Sequence, residues 1–83
     1  MKLFSPNELL EAAKRHVLNG TDPKSKEDWQ RVMNFMAFNV HESVALSACR
    51  LLASIYDMPL TESEVKQIVE FQLKSKSETK PQA

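Results

Sequence analysis

The chain is poor in glycine and cysteine, and each shortage excludes a class of structure. Gly20 is the only glycine among 83 residues, which excludes a glycine-rich phosphate-binding loop and disfavours hairpins with glycine-dependent turns. Cys49 is the only cysteine, so no disulfide can form within the chain. The lone thiol, together with an N-terminus that has no long apolar segment after Lys2, favours a reducing, cytoplasmic setting.

An excess of charge of either sign is also missing. Eleven Lys and Arg residues balance eleven Asp and Glu residues, and no segment forms the basic stripe with which nucleic-acid-binding proteins neutralise phosphates. No apolar run approaches the roughly 20 residues that a membrane span requires. We therefore expect neither nucleic acid nor membrane to be a partner, and the length fits a single domain.

At four places a Ser, Thr or Asn stands three residues before an acid and just ahead of a periodic apolar run. In such a capping box the first side chain accepts a hydrogen bond from an amide of the first turn, and the acid bonds back to the cap's own amide. The pairs are Ser5–Glu8, Ser25–Asp28, Asn39–Glu42 and Thr61–Glu64. They predict four helices.

The first helix is predicted from Pro6 to about Leu18, because proline suits the first helical position and Asn19-Gly20 is a typical stop. The second begins near Lys26 and is apolar on two sides. Asn39 either caps a separate third helix or lies within one bent helix that includes both. The fourth helix follows Thr61.

The third predicted helix, from about Val40 to Asp57, is apolar around most of its axis. Its polar residues follow one thin line with spacings of 4, 3, 4 and 3: Ser43, Ser47, Arg50, Ser54 and Asp57. A helix of this kind is central in its fold or covered by a partner. We expect an all-α fold, a compact bundle of about four short helices with the third helix central.

The C-terminal segment is polar and has no apolar periodicity from about Ser75 onward. Such composition does not support a packed core. We therefore expect residues 1–74 to form the helical domain and residues 75–83 to form a flexible, disordered polar tail.

Residues able to perform chemistry are few. His16 and His41 are the only histidines and lie far from Cys49 in the sequence, whereas a zinc site needs three or four converging ligands. Cys49 lies among apolar residues, and we expect it to pack as a small hydrophobic side chain. We predict no enzymatic activity, no catalytic residue, no cofactor, no metal and no small-molecule substrate.

The second and third helices carry more apolar surface than one small bundle needs, and monomers rarely expose large apolar patches. The leading hypothesis is a non-enzymatic protein–protein interaction module, such as an adaptor, a chaperone-like binder or an inhibitor. Its partner would be a second copy in a homodimer, or another protein, bound through these two helices. The predicted interface residues are Trp29, Met33, Phe35, Met36, Phe38, Ser43, Ser47, Arg50 and Ser54.

Two alternatives remain open. A small DNA-binding regulator could use the third and fourth helices as a helix-turn-helix, with Lys66 and Gln67 contacting DNA, although Glu62 and Glu64 occupy the usual contact region. The chain could also be a small subunit of a larger secretion or phage-type assembly. In that case another subunit would cover the surplus apolar surface.

Overall fold

The computed structural model describes residues 5–79, and within this range the chain is helical with no strand. The elements are α1 (Pro6–Val17), α2 (Lys26–Asn39), a short 3₁₀ helix (Glu42–Val44), α3 (Ala45–Ile55) and α4 (Glu62–Thr79). The prediction of an all-α bundle of four short helices is confirmed.

Three of the four predicted capping residues begin helices. The side chains of Ser5 and Ser25 each accept a hydrogen bond from the amide three residues later, at 3.2 and 3.1 Å. Thr61 forms the complete capping box. Its Oγ1 accepts from the amide of Glu64 at 3.1 Å, while its own amide donates to Glu64 Oε1 at 2.8 Å. These bonds satisfy amides that the first helical turn would otherwise leave unpaired.

The fourth predicted cap is wrong, because Asn39 is the last residue of α2. Its Nδ2 donates to the carbonyl four residues earlier at 2.8 Å, which commits the side chain to α2. Val40 and His41 then have extended backbone conformations, so α2 and α3 are separate helices. His41 caps the short 3₁₀ helix, where its Nδ1 accepts from the amide of Ser43 at 3.2 Å, and α3 itself has no side-chain cap. The α-helix therefore begins at Ala45 instead of near Val40.

The helix that packs extensively against all the others is α2, and not α3 as expected. It contacts α1, α3 and α4. Four of its side chains have no exposed surface: Val32, Met33, Met36 and Ala37. By contrast, α3 buries three side chains: Ala45, Cys49 and Leu52. The sequence makes α2 and α3 apolar on two sides each. Only α2 has other helices packed against both of its apolar sides.

The helices α2 and α4 run side by side in the same direction. Near their starts, Lys26 Nζ pairs with Glu64 Oε2 at 2.6 Å. Two turns further along both helices, Gln72 Nε2 donates to Asn34 Oδ1 at 2.8 Å. Because the contacts advance in the same order along each helix, the two axes are parallel. The buried Val65 and Val69 of α4 belong to the core cluster that also includes the apolar residues of α2.

The last helix is longer than predicted. α4 continues to Thr79, so residues 75–79, the first part of the segment expected to be a tail, are helical. The reason is that this end still contacts the bundle: Leu73 packs against the core, and Lys76 Nζ donates to the carbonyl of Val40 at 3.0 Å. Residues 80–83, the remainder of the expected tail, lie outside the described residues.

Candidate protein-interaction surface

Most of the interface residues predicted on α2 belong to the core. Met33 and Met36 have no exposed surface, so their assignment to an interaction surface is wrong. Trp29 and Phe35 are half-buried and pack against the core cluster. Only Phe38, with 48% of its surface exposed, is a largely accessible member of this group. The cause is the central position of α2, whose apolar sides are covered by the other helices.

Neighbouring side chains also cover parts of Phe35 and Phe38. The ring of His16 stacks on the ring of Phe35, with centroids 4.9 Å apart. Lys76 Nζ lies 5.3 Å from the centroid of the Phe38 ring, within the range of a cation–π interaction. These contacts tie α1 and α4 to the outer side of α2. Phe35 therefore contributes mainly to packing, and Phe38 retains an open face.

A groove of about 690 Å³ lies beside Phe35 and Phe38, but its amide side chains are already paired. Gln72 donates to Asn34, and Asn34 Nδ2 in turn donates to a carbonyl of its own helix at 2.8 Å. Asn39 Nδ2 also donates to a carbonyl within α2. A specific ligand site needs polar groups that converge on the ligand. Of these three bonds, the one from Gln72 joins α4 to α2, and the other two lie within α2.

The four predicted interface residues of the polar line are all exposed, as expected. Ser43 lies in the 3₁₀ helix, where its Oγ is 2.8 Å from His41 Nδ1. Ser47 Oγ donates to the carbonyl three residues earlier at 3.2 Å, and Arg50 forms an ion pair with Glu62 at the start of α4. These three side chains therefore bond to neighbours within the bundle.

The largest apolar exposure on α3 lies beside this polar line. Val44 is 48% exposed, Leu51 is 60% exposed and Ile55 is 50% exposed, and the half-buried Ala48 lies between them. Spacings of 3 and 4 residues place Ala48, Leu51 and Ile55 on one face of α3. Val44, the last residue of the 3₁₀ helix, continues the 4-3-4 pattern immediately before α3. We call Val44, Ala48, Leu51 and Ile55 the α3 stripe.

The α3 stripe was missing from the predicted interface. Its 4-3-4 spacing is visible in the sequence, and so is a second apolar face formed by Ala45, Cys49 and Leu52. Periodicity identifies both faces, but only the arrangement of the other helices determines which face is buried. In the structure, Ala45, Cys49 and Leu52 enter the core and the α3 stripe faces solvent.

The polar edge of the α3 stripe is uncharged. Ser47 and Ser54 stand next to it along the helix. Arg50 lies farther around the helix and is paired with Glu62. The stripe is therefore an apolar strip with a small, neutral polar border. A second apolar surface could approach it without burying an unpaired charge.

The chemistry of Cys49 is that of a core residue. Its side chain is fully buried, and burial raises the pKa of the thiol to about 11 despite the opposing charge of Lys76. The thiol is therefore protonated near neutral pH, whereas a reactive cysteine requires the thiolate. The prediction that Cys49 packs as a small hydrophobic side chain is confirmed. Among the side chains that the structure describes, no group of three or more from His, Cys, Asp and Glu is arranged to hold a metal ion.

The connection between α3 and α4 gives little support to a helix-turn-helix interpretation. The segment between the two helices spans residues 56–61. The first turn of α4 carries two acids in ion pairs, Glu62 with Arg50 and Glu64 with Lys26. The Lys26 contact lowers the pKa of Glu64, which keeps a negative charge where a recognition helix normally meets DNA.

None of the helices in the described part of the chain combines the length and apolarity required to cross a membrane. Comparisons of this chain with models of protein families, with curated protein sequences and with solved structures found no match. No relative or structural neighbour thus assigns a role to the α3 stripe. The function has to be inferred from the surface chemistry of the chain itself.

Proposed function

We propose that this chain is a non-enzymatic protein–protein interaction module that forms a homodimer through the α3 stripe. The observation that carries this proposal is the exposure of Val44, Leu51 and Ile55, each with about half or more of its surface open to solvent. An apolar helix face that remains exposed on a folded bundle is typical of an interaction site. The lone, buried Cys49 supports a reducing, cytoplasmic location.

The spacing of the α3 stripe favours another helix as the contacting element. Residues separated by 4, 3 and 4 positions follow the a/d seam of a coiled coil. In that register, Ser47 and Ser54 occupy the g positions at the seam's edge. Because these side chains are small and neutral, they introduce no like-charge repulsion between two copies of the stripe.

Self-association through this surface is expected to be weak. Burying the exposed halves of Val44, Leu51 and Ile55 contributes about 0.8–1.5 kcal/mol each, or about 5–9 kcal/mol for two copies. Association costs at least about 4 kcal/mol, so at most about 5 kcal/mol remains, which corresponds to a dissociation constant of about 0.2 mM or weaker. α3 has 11 residues and is only about 16 Å long. A weak dimer suits an adaptor, a chaperone-like binder or an inhibitor, because another protein can replace the second copy.

The proposal is tested by solution mass as a function of concentration. We expect light scattering after size-exclusion chromatography to show the wild-type mass rising towards that of a dimer between about 10 µM and about 1 mM. The substitution Leu51→Asp places a charge in the middle of the stripe and should keep the protein monomeric. Its far-UV circular dichroism should stay unchanged, because Leu51 is 60% exposed.

The matched control is Gln67→Asp, which makes the same change in charge at an exposed position of α4. This variant should associate like the wild type. A wild type that remains monomeric over the whole range would contradict the homodimer. It would favour instead the alternative in which another protein of a larger assembly covers the stripe.

A further inference from the structure

We infer that two copies of α3 pack antiparallel about a two-fold axis that passes between Ala48 and Leu51. This inference rests on the proposed homodimer and specifies the geometry of its contact. The alternative is a parallel pair, in which each residue of the stripe meets its own copy. The spacing of the stripe and the sizes of its side chains distinguish these two arrangements.

The spacing of the α3 stripe is the same in both chain directions, because 4-3-4 is palindromic. When one helix is reversed against its copy, Val44 lies opposite Ile55 of the partner subunit. In the same register, Ala48 lies opposite Leu51 of the partner subunit. Each of the four side chains therefore meets an apolar side chain of the stripe. Such self-complementarity is what a two-fold interface requires.

Side-chain size favours the antiparallel pair. Ala48 is the smallest residue of the stripe, and Leu51 has the largest exposed fraction, at 60%. The antiparallel arrangement pairs the small residue with the large one at both positions beside the axis. A parallel arrangement pairs alanine with alanine and leucine with leucine, which leaves a gap at one level and crowding at the next. Interfaces, like protein interiors, favour even filling of space.

Helix electrostatics favour the same orientation. The backbone amides at the start of α3 carry partial positive charge, and the carbonyls at its end carry partial negative charge. The start of α3 has no side-chain cap, and its first amide, that of Ala45, donates to the backbone carbonyl of Glu42. An antiparallel pair places this end beside the negative end of the second helix. A parallel pair places like ends together.

Disulfide trapping tests the orientation. Val44→Cys and Ile55→Cys are made separately in a Cys49→Ala background, one of them with a mass tag, and mixed at a concentration where the wild type is dimeric. We expect copper-phenanthroline oxidation to give at least about tenfold more mixed disulfide than either same-position disulfide, since Cα atoms more than 7 Å apart cannot be bridged. In an antiparallel pair, the two copies of position 44 are about 16 Å apart.

The controls separate this inference from the proposed function. Disulfides between two copies of position 44, without the mixed product, would overturn the antiparallel orientation and leave the homodimer standing. Equally fast oxidation of Glu27→Cys, at an exposed position of α2, would indicate random collision and overturn the inference. A wild type that is monomeric by light scattering would refute the proposed dimer itself. If Cys49→Ala lowers the helical signal, the native buried thiol is retained in both variants.

Discussion

The helices α2 and α3 have similar sequence patterns but occupy different positions in the fold. Both are apolar on two sides. In α2, Met33 and Met36 are fully buried because the helix has neighbours on both sides. In α3, the side bearing Cys49 is buried, whereas the side bearing Leu51 is exposed. Two apolar sides therefore indicate a need for neighbours on both sides, whereas α2 and α4, the two helices that pack extensively against α3, leave its Leu51 side exposed.

This difference assigns different roles to chemically similar side chains. Met36 and Leu51 are both large and apolar, yet one has no exposed surface and the other is 60% exposed. Substitution of the first should affect the stability of the bundle, and substitution of the second should affect association. Variants of α2 and α3 can therefore test whether the buried side of α2 and the exposed side of α3 have these two different roles.

The largest expected effect comes from Met36→Ala. This change leaves a cavity among the fully buried side chains of α2 and should lower the free energy of unfolding by about 2–5 kcal/mol. Leu51→Ala, at the exposed side of α3, should change it by no more than about 0.5 kcal/mol. Urea unfolding followed by circular dichroism, at a concentration where the protein is monomeric, measures both. Similar losses for the two variants would contradict the distinction between the helices.

The second expected effect concerns the two phenylalanines near the end of α2. Phe35 packs against the core and stacks on His16, so Phe35→Asp should lower the free energy of unfolding by about 1–3 kcal/mol. Phe38 is 48% exposed, so Phe38→Asp should cost less than about 1 kcal/mol. Urea unfolding of both variants tests this order, and the identical side-chain change makes each variant the control for the other. An equal loss would indicate that the core extends over Phe38.

The same comparison shows how far the sequence predicts the molecule. The starts of α1, α2 and α4 are predictable because Ser5, Ser25 and Thr61 cap amides within three residues of themselves. The start of α3 is not, because the side chain of Asn39 bonds back into α2 and His41 caps a 3₁₀ helix that precedes α3. An asparagine side chain can bond to an amide of the next helix or to a carbonyl four residues earlier in its own helix. The capping pattern alone does not show which of these bonds forms.

The interaction surface depends on longer-range information. The sequence correctly indicates a surplus apolar face on α3, and it places the polar line of Ser47, Arg50 and Ser54 on the surface. The surplus expected on α2 is covered by the other helices. The sequence does not indicate which apolar face of α3 is left exposed. That depends on the side from which α4 approaches, with its buried Val65 and Val69 in the core cluster. Residues distant in the sequence therefore decide the location of the candidate site.

The smallest expected effect concerns the attachment of α2 and α4 to each other. The Lys26 hydrogen bond, followed by the amide of Thr61, lowers the pKa of Glu64 below its ordinary value of 4.5. Since the carboxylate is favoured in the folded state, its contribution to stability is present above that ordinary pKa. The contribution is lost as the pH falls through the lower pKa of the folded protein. Acidification should therefore weaken the contact between α2 and α4.

We expect the urea midpoint of the wild type to fall on acidification from about pH 5 to about pH 3, and Glu64→Gln to reduce this dependence. The effect should be small, because an exposed ion pair is screened by solvent. Glu70→Gln, which makes the same substitution at an exposed position of α4, is the control. If both variants reduce the pH dependence of the urea midpoint equally, the acid sensitivity arises from the overall charge of α4. If only Glu64→Gln flattens the profile, the acid sensitivity arises from the ion pair between Lys26 of α2 and Glu64 of α4.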